Sequence, residues 1–253
     1  MRWAPRLKSG TLKKLQHGEV IALENFEVPI EFRRHPKARR LTLRVSATNR
    51  SVIITAPPFC SDHETISFLE RHRSWLHQQI EKLPEPAPYK NGSSLPLRGV
   101  DHQIIFAGKT RGKGVVWTCN EDKPTLYVAG NEEFAPRRLQ NWLRKEARSD
   151  LVKHSCWHAE NLGVTFRKIM IKDQRSRWGS CSSRLVLSYS WRLILAPPNV
   201  LEYVAAHEVA HLLEMNHGPN FWKLVAKTMP EYEDAKNWLR AEGMNLHRYG
   251  ASS

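Results

Sequence analysis

The spacing of apolar and polar positions changes once along this chain, near its middle. From Val28 the text is strand-like: VPIEF is followed by Leu41, Leu43 and Val45 alternating with Thr42, Arg44 and Ser46, a period of two that predicts a half-buried antiparallel strand. SVIITAP is its predicted partner, ended by Pro57 and Pro58, with the short polar TNRS as the hairpin connection. Ser61 and Asp62 offer an N-cap for a helix over residues 61–83, with Ile66, Leu69, Trp75, Leu76 and Ile80 at helical spacing. Pro84, Pro86 and Pro88 stop it and open the linker-like stretch EPAPYKNGSSLP. HQIIFAG, GVVWTC and TLYVAG then predict three short strands between Gly-, Lys- and Asp-rich turns.

From Pro136 the period becomes 3.6. Leu139, Trp142, Leu143, Ala147, Leu151 and Trp157 form one stripe of a long amphipathic helix, with Pro136 in the first turn, where proline is tolerated. FRKIMI and RLVLSYSWRLIL predict two strands, the second placing Leu185, Leu187, Tyr189, Trp191 and Leu193 on one face. Pro197 and Pro198 open a helix running to about Met215. His217, Gly218 and Pro219 break it, another helix starts near Asn220, and a last one runs from Glu231 to Glu242, closed by Gly243. Strands grouped first and helices grouped last predict an α+β fold. The expected layout is a basic tail over residues 1–20, a β-rich region over 21–135 and a more helical domain over 136–253; no internal repeat is legible.

Composition narrows the class. With 253 residues and 41% hydrophobic content the chain can bury a core without disulfides, and a natively disordered chain is excluded. The four cysteines, Cys60, Cys119, Cys156 and Cys181, are scattered with no CxxC pair, which speaks for a reducing compartment and against a cysteine-built zinc site. No run reaches the roughly 18 apolar residues of a membrane span, and the basic start lacks the apolar stretch of a secretory signal, so a cytoplasmic protein with no membrane partner is expected. The formal charge of +14 is uneven. Twelve basic residues face four acidic ones in residues 1–50 and eight face two in 151–200, whereas 201–253 holds five against seven.

That last, mildly acidic segment contains His207-Glu208-Val209-Ala210-His211. Residues four apart on a helix project from one face, so His207 and His211 can offer imidazole nitrogens to one Zn²⁺, with Glu208 beside the metal as a proton acceptor. His217 follows where the helix should turn, which brings it back toward the same ion. Core histidines beside a solvated Glu208 are the bland alternative; the predicted helix, His217, and Val200 and Val204 on the histidine face argue against it.

RSRWGSC at Arg175 to Cys181, SWRLILAPP from Ser190, YVAAHEVAHLLEMNHGPNFW from Tyr203 to Trp222, and the late Pro230, Trp238 and Leu239 together resemble the YgjP-like family of metallopeptidase-type proteins, related to the WLM and SprT-like zinc peptidase domains. The resemblance is strongest from Trp142 to Gly243 and looser over the N-terminal strands. It implies a zincin-like metallopeptidase domain over 136–253, one Zn²⁺ per chain held by His207, His211 and His217, Glu208 as catalytic base, and a peptide or protein substrate. Ser190 departs from the family pattern, which usually has Asn before the Trp-Arg-Leu triplet.

Other features weigh less. Tyr189, Arg192, Tyr203 and Tyr232 could stabilise an oxyanion by type alone, and packing or surface roles suit them better. The strand over Leu187 to Leu193 could take an extended peptide by edge addition. His154 and His158 share a helix face and point to a surface or interhelical contact, with Cys156 turned away. Cys181 has no base nearby to make it a nucleophile. The basic clusters, Arg33, Arg34, Lys37, Arg39, Arg40 and Arg44, then Lys168, Lys172, Arg175, Arg177 and Arg184, read as solvated faces. The alternative is a basic nucleic-acid or nucleoprotein binder with a structural metal, and it predicts retention on DNA or RNA that falls steeply with salt.

Overall fold

A computed structural model describes residues 20–250 other than 24–25, 47–49, 111–113 and 175. The basic tail, Thr48 and Asn49 of the TNRS connection, and Arg175 therefore lie outside the described residues. The fold is mixed α+β, with three sheets and six α-helices among the described residues. Contacts divide it into two compact units, one up to Glu85 and one from Pro86. The division falls inside the proline-rich linker text rather than at 135/136, because the strands after Ser94 share a core with the helices that follow them.

The first unit is built on a four-stranded sheet. β1 (Val20–Leu23) pairs with β2 (Phe26–Arg34), and β3 (Thr42–Ser46) pairs antiparallel with β4 (Ser51–Ala56), as the alternation predicts. β2 and β4 lie parallel at the centre. Ile30, Val52 and Ile54 pack with Leu69, Leu76 and Ile80 from the following helical segment. That segment is two helices, α1 (Asp62–Arg71) and α2 (Arg73–Glu81). Ser61 and Glu64 form the capping box that starts α1. The break falls at His72, whose N–H donates to Leu69 O at 3.1 Å while its ring Nδ1 meets Phe68 O at 2.8 Å, so the helical ladder is locally replaced.

The second unit repeats the same strand arrangement. β5 (Ser94–Leu97), β6 (Val100–Gly108), β7 (Val116–Cys119) and β8 (Thr125–Ala129) take the order β5-β6-β8-β7, with β6 and β8 parallel, matching β1-β2-β4-β3 in topology. This repeat of form has no counterpart in the residue pattern. A two-residue turn at Arg98 and Gly99, both at positive φ, joins β5 to β6. Arg98 then reaches Asp150 at 2.7 Å and Glu146 at 2.9 Å on α3 (Ala135–Leu162), binding the sheet to the long helix.

α3 buries Leu139, Leu143, Ala147 and Leu151 and ends at Gly163 in the left-handed conformation. Trp142 packs at the border of the core, but Trp157 is 48% exposed and is not the core residue its spacing suggests. A three-stranded sheet follows, in the order β10 (Gly179–Cys181), β11 (Val186–Ser190), β9 (Lys168–Lys172), with β11 antiparallel to β10 and parallel to β9. β11 is shorter than predicted. From Trp191 to Leu195 the chain forms a 3-10 turn in which all five side chains are buried, and Leu185, at positive φ, is exposed. Ser190 accepts from the Arg192 N–H at 3.4 Å to start that turn, so its hydroxyl has a local capping role where the family pattern has an amide.

The turn aims Arg192 inward. It is almost fully buried, donates to both oxygens of Asp173 (2.8 and 3.4 Å), and also donates to the carbonyls of Leu246 and Tyr249 at 3.1 and 2.9 Å. Arg192 therefore anchors the chain around Leu246 to Tyr249 and is a structural residue rather than an oxyanion donor. Burial alone would raise the Asp173 pKa, but Arg192 outweighs it and holds the carboxyl below its usual value. Arg192→Met should cost about 3 kcal/mol, since it strands a carboxylate and two carbonyls. The sign of the pH effect follows from the lowered folded-state pKa: the stabilisation is present above about pH 4, the unfolded value, and is lost as pH falls through the folded one. Melting curves between pH 7 and 3 should therefore show a smaller acid loss in Asp173→Asn than in the wild type.

Candidate metal centre

The remaining helices are α4 (Pro198–Ala210), α5 (Pro219–Thr228) and α6 (Tyr232–Glu242). Prolines in the first turn of α4 and α5 suit positions whose N–H has no helical partner. α4 is buried on most sides, with Val200, Leu201, Val204, Ala205, Ala206, Val209 and Ala210 in the core, so polar groups on it need partners. It ends earlier than the sequence pattern suggests, placing His211 at its C-cap, and the chain turns through Leu212 to Asn216 before α5. This turn delivers His217 to the other two histidines.

The ligand nitrogens of His207, His211 and His217 lie within 4.8 Å of one another, and Nε2 of His207 is 3.0 Å from Nε2 of His217. Ring nitrogens bound to one zinc at 2.0–2.1 Å would be roughly 3.3 Å apart in a tetrahedron, so the spacing suits a shared ion. Nδ1 of His211 lies 2.9 Å from the Glu214 carbonyl, which makes that nitrogen the donor and leaves Nε2 with its lone pair. Burial and the neighbouring imidazoles push the His207 pKa down to about 3, and burial lowers that of His211, so both rings are neutral and able to ligate. Phe221, fully buried on α5, sits with its ring centroid 4.6–4.8 Å from all three imidazoles and fixes their orientation by contact. No metal-ligand motif marks Phe221 in the sequence beyond its place four residues after His217, on the helix that His217 precedes.

Glu208 is 5% exposed, and its Oε2 has no hydrogen-bond partner. Burial pushes its carboxyl up to about 8, opposed by the Arg177 charge and the backbone of Cys181. All three histidines and Glu208 line one cleft of about 440 Å³, together with Arg177, Gly179 to Cys181, Tyr203 and Val204. Val200, expected beside Val204 on the cleft floor, is in the core.

Gly179 is the other residue of the site that no metal-ligand motif marks in the sequence. A Cβ there would overlap the Glu208 side chain, standing 2.6 Å from its Cγ and 2.7 Å from its Cδ. A glycine inside a strand is the available signal, since it often marks such a close approach. Gly179→Ala should displace Glu208 and lower turnover on the order of 100-fold with the metal content unchanged, checked by steady-state kinetics beside metal analysis.

The other candidates fall into place. Tyr203 lines the cleft with its ring 5.8 Å from that of His207, and burial pushes its hydroxyl up to about 12. Tyr232 stacks between Tyr203 and Trp222. Tyr189 is fully buried and hydrogen-bonded to Ser155, a packing role. Cys181 reaches the cleft, but burial pushes its thiol up to about 11, against nucleophile or thiolate-ligand chemistry. β11 is paired on both sides and cannot accept an added strand; the sheet's edge at the cleft is β10. Arg33, Arg34, Lys37, Arg39, Arg40, Arg44, Lys168, Lys172 and Arg184 are exposed, as solvated faces would be, whereas Arg177 belongs to the cleft. No helix among the described residues is long and apolar enough to cross a membrane.

Three convergent imidazoles beside a buried carboxyl group are a donor set that could hold a metal ion. A family model described as YgjP-like, metallopeptidase domain matches residues 39–242. The chain belongs to the YgjP-like metallopeptidase-domain family. Among solved structures, the crystal structure of the metallopeptidase zymogen of Pyrococcus abyssi abylysin is similar at 16% identity and a TM-score of 0.34, over 36% of this chain and 93% of that one. No curated protein matches.

Proposed function

We propose that the chain is a zinc-dependent metallopeptidase in which His207, His211 and His217 hold the ion and Glu208 is the general base. The observation that carries this reading is the convergence of three imidazoles in a cleft that also holds a buried carboxylate with an unpartnered oxygen. The donor set is nitrogen without thiolate, which suits Zn²⁺ and leaves a coordination position open. Zn²⁺, when bound, makes a water more acidic and polarises a carbonyl. Glu208 accepts the proton from the attacking water and returns it to the departing amine. Burial raises the Glu208 carboxyl to about 8, and the Arg177 charge together with that of a bound ion would favour the ionised form that accepting a proton requires. The substrate is an extended peptide whose backbone pairs with the edge of β10, so that recognition rests on main-chain bonds and tolerates many sequences. Treating the protein with a chelator should abolish cleavage of an unfolded polypeptide, and added Zn²⁺ should restore it. Cleavage that persists in metal-free protein would overturn the proposal.

A further inference from the structure

A second cluster of metal-ligating groups lies where α3 crosses α4. His154 and His158 stand four residues apart on one face of α3, and Glu202 of α4 meets them. Glu202 Oε1 is 3.7 Å from His154 Nδ1 and 3.9 Å from His158 Nε2, and one ligand atom from each of the three residues falls within a 4.8 Å set. These separations are too long for hydrogen bonds. They are close to the spacing of donors around a single ion, so small side-chain rotations would complete a shell.

His158 makes the cluster more than a chance gathering. Its side chain is fully buried and neither ring nitrogen has a hydrogen-bond partner. Burying an imidazole with its N–H and its lone pair both unsatisfied is costly, and native interiors avoid it. Trp157 packs edge-on against the ring but supplies no donor or acceptor to those nitrogens. His154 and Glu202 are partly exposed, which gives an ion a way in from solvent. Cys156, exposed and on another face of the helix, takes no part.

We propose that His154, His158 and Glu202 form a second metal site, separate from the catalytic cleft and suited to Zn²⁺. Two imidazoles and one carboxylate favour a borderline transition ion over Mg²⁺ or Ca²⁺, which take oxygen ligands. The site is placed to act on the cleft. Glu202 precedes His207 by five residues, roughly 140° around the same helix, so the two sites lie on different faces of α4. An ion here clamps α4 to α3, its largest packing neighbour in the core, and holds the helix that carries His207 and Glu208.

The test is metal stoichiometry on the full chain, with Zn²⁺ as the probe. The wild type should bind two equivalents and Glu202→Gln one, with the affinity of the lost equivalent weakened at least tenfold. His154→Ala should behave as Glu202→Gln does, and both changes fall at partly exposed positions. In His207→Ala/His211→Ala, one equivalent should remain, and Zn²⁺ should still raise the melting temperature until Glu202→Gln is added. A wild type that binds a single equivalent, or a second equivalent indifferent to both His154→Ala and Glu202→Gln, would overturn the proposal. If the double histidine variant fails to fold, the comparison of wild type with the two single variants decides alone.

Discussion

Glu208→Gln should retain the metal and lose hydrolysis by about 10³-fold or more in kcat. The amide is nearly isosteric, so the packing of α4 against β10 is preserved and the three imidazoles keep their positions. It cannot accept a proton, and the loss corresponds to removing the general base from a step that depends on it. The site's geometry makes this a demanding prediction. Glu208 is buried, its Oε2 is unpartnered, and its stem rests against Gly179, so no other carboxylate among the cleft-lining residues can take over. The ratio of kcat between wild type and Glu208→Gln at equal metal content is the measurement. Equal turnover would mean that the carboxylate is structural.

His217→Ala should have an effect of the opposite kind, lowering metal affinity first. His207 and His211 sit on one helix and remain in place without their partner, but two imidazoles hold an ion far more weakly than three. Loss of groups that merely orient a ligand costs 10–100-fold in affinity, so loss of the ligand itself should exceed about 100-fold. Because His217 is exposed and follows the end of α4, the substitution should leave the melting temperature of metal-free protein nearly unchanged. Competition with a chromophoric chelator measures the affinity, and melting in excess chelator checks the fold.

The two histidines of α4 were legible in the sequence because a helix converts four-residue spacing into a shared face without help from the rest of the molecule. His217 was legible because Gly218 and Pro219 mark the turn that returns it. Other features depend on tertiary structure and left weaker marks. Glu202 meets His154 and His158 only because α3 crosses α4 at that point, which spacing does not encode. The alternation from Leu185 to Leu193 fits a strand, yet after Ser190 it belongs to a turn buried on all sides, where period carries no information. β5 was hidden in proline- and glycine-rich text because it has only four residues. Gly243 ends α6 as expected, but in a right-handed conformation; its missing Cβ makes room for Trp178, 3.1 Å from where that atom would be.

Binding of one ion in the cleft by His207, His211 and His217 together is open to a spectroscopic test. Zinc-edge X-ray absorption tests it most directly on protein loaded with one equivalent of Zn²⁺, using the His154→Ala variant so that only the cleft can fill. The expected inner shell holds three imidazoles, reduced to two in His217→Ala. A shell containing sulfur, or one with fewer than three imidazoles that does not change in His217→Ala, would contradict it.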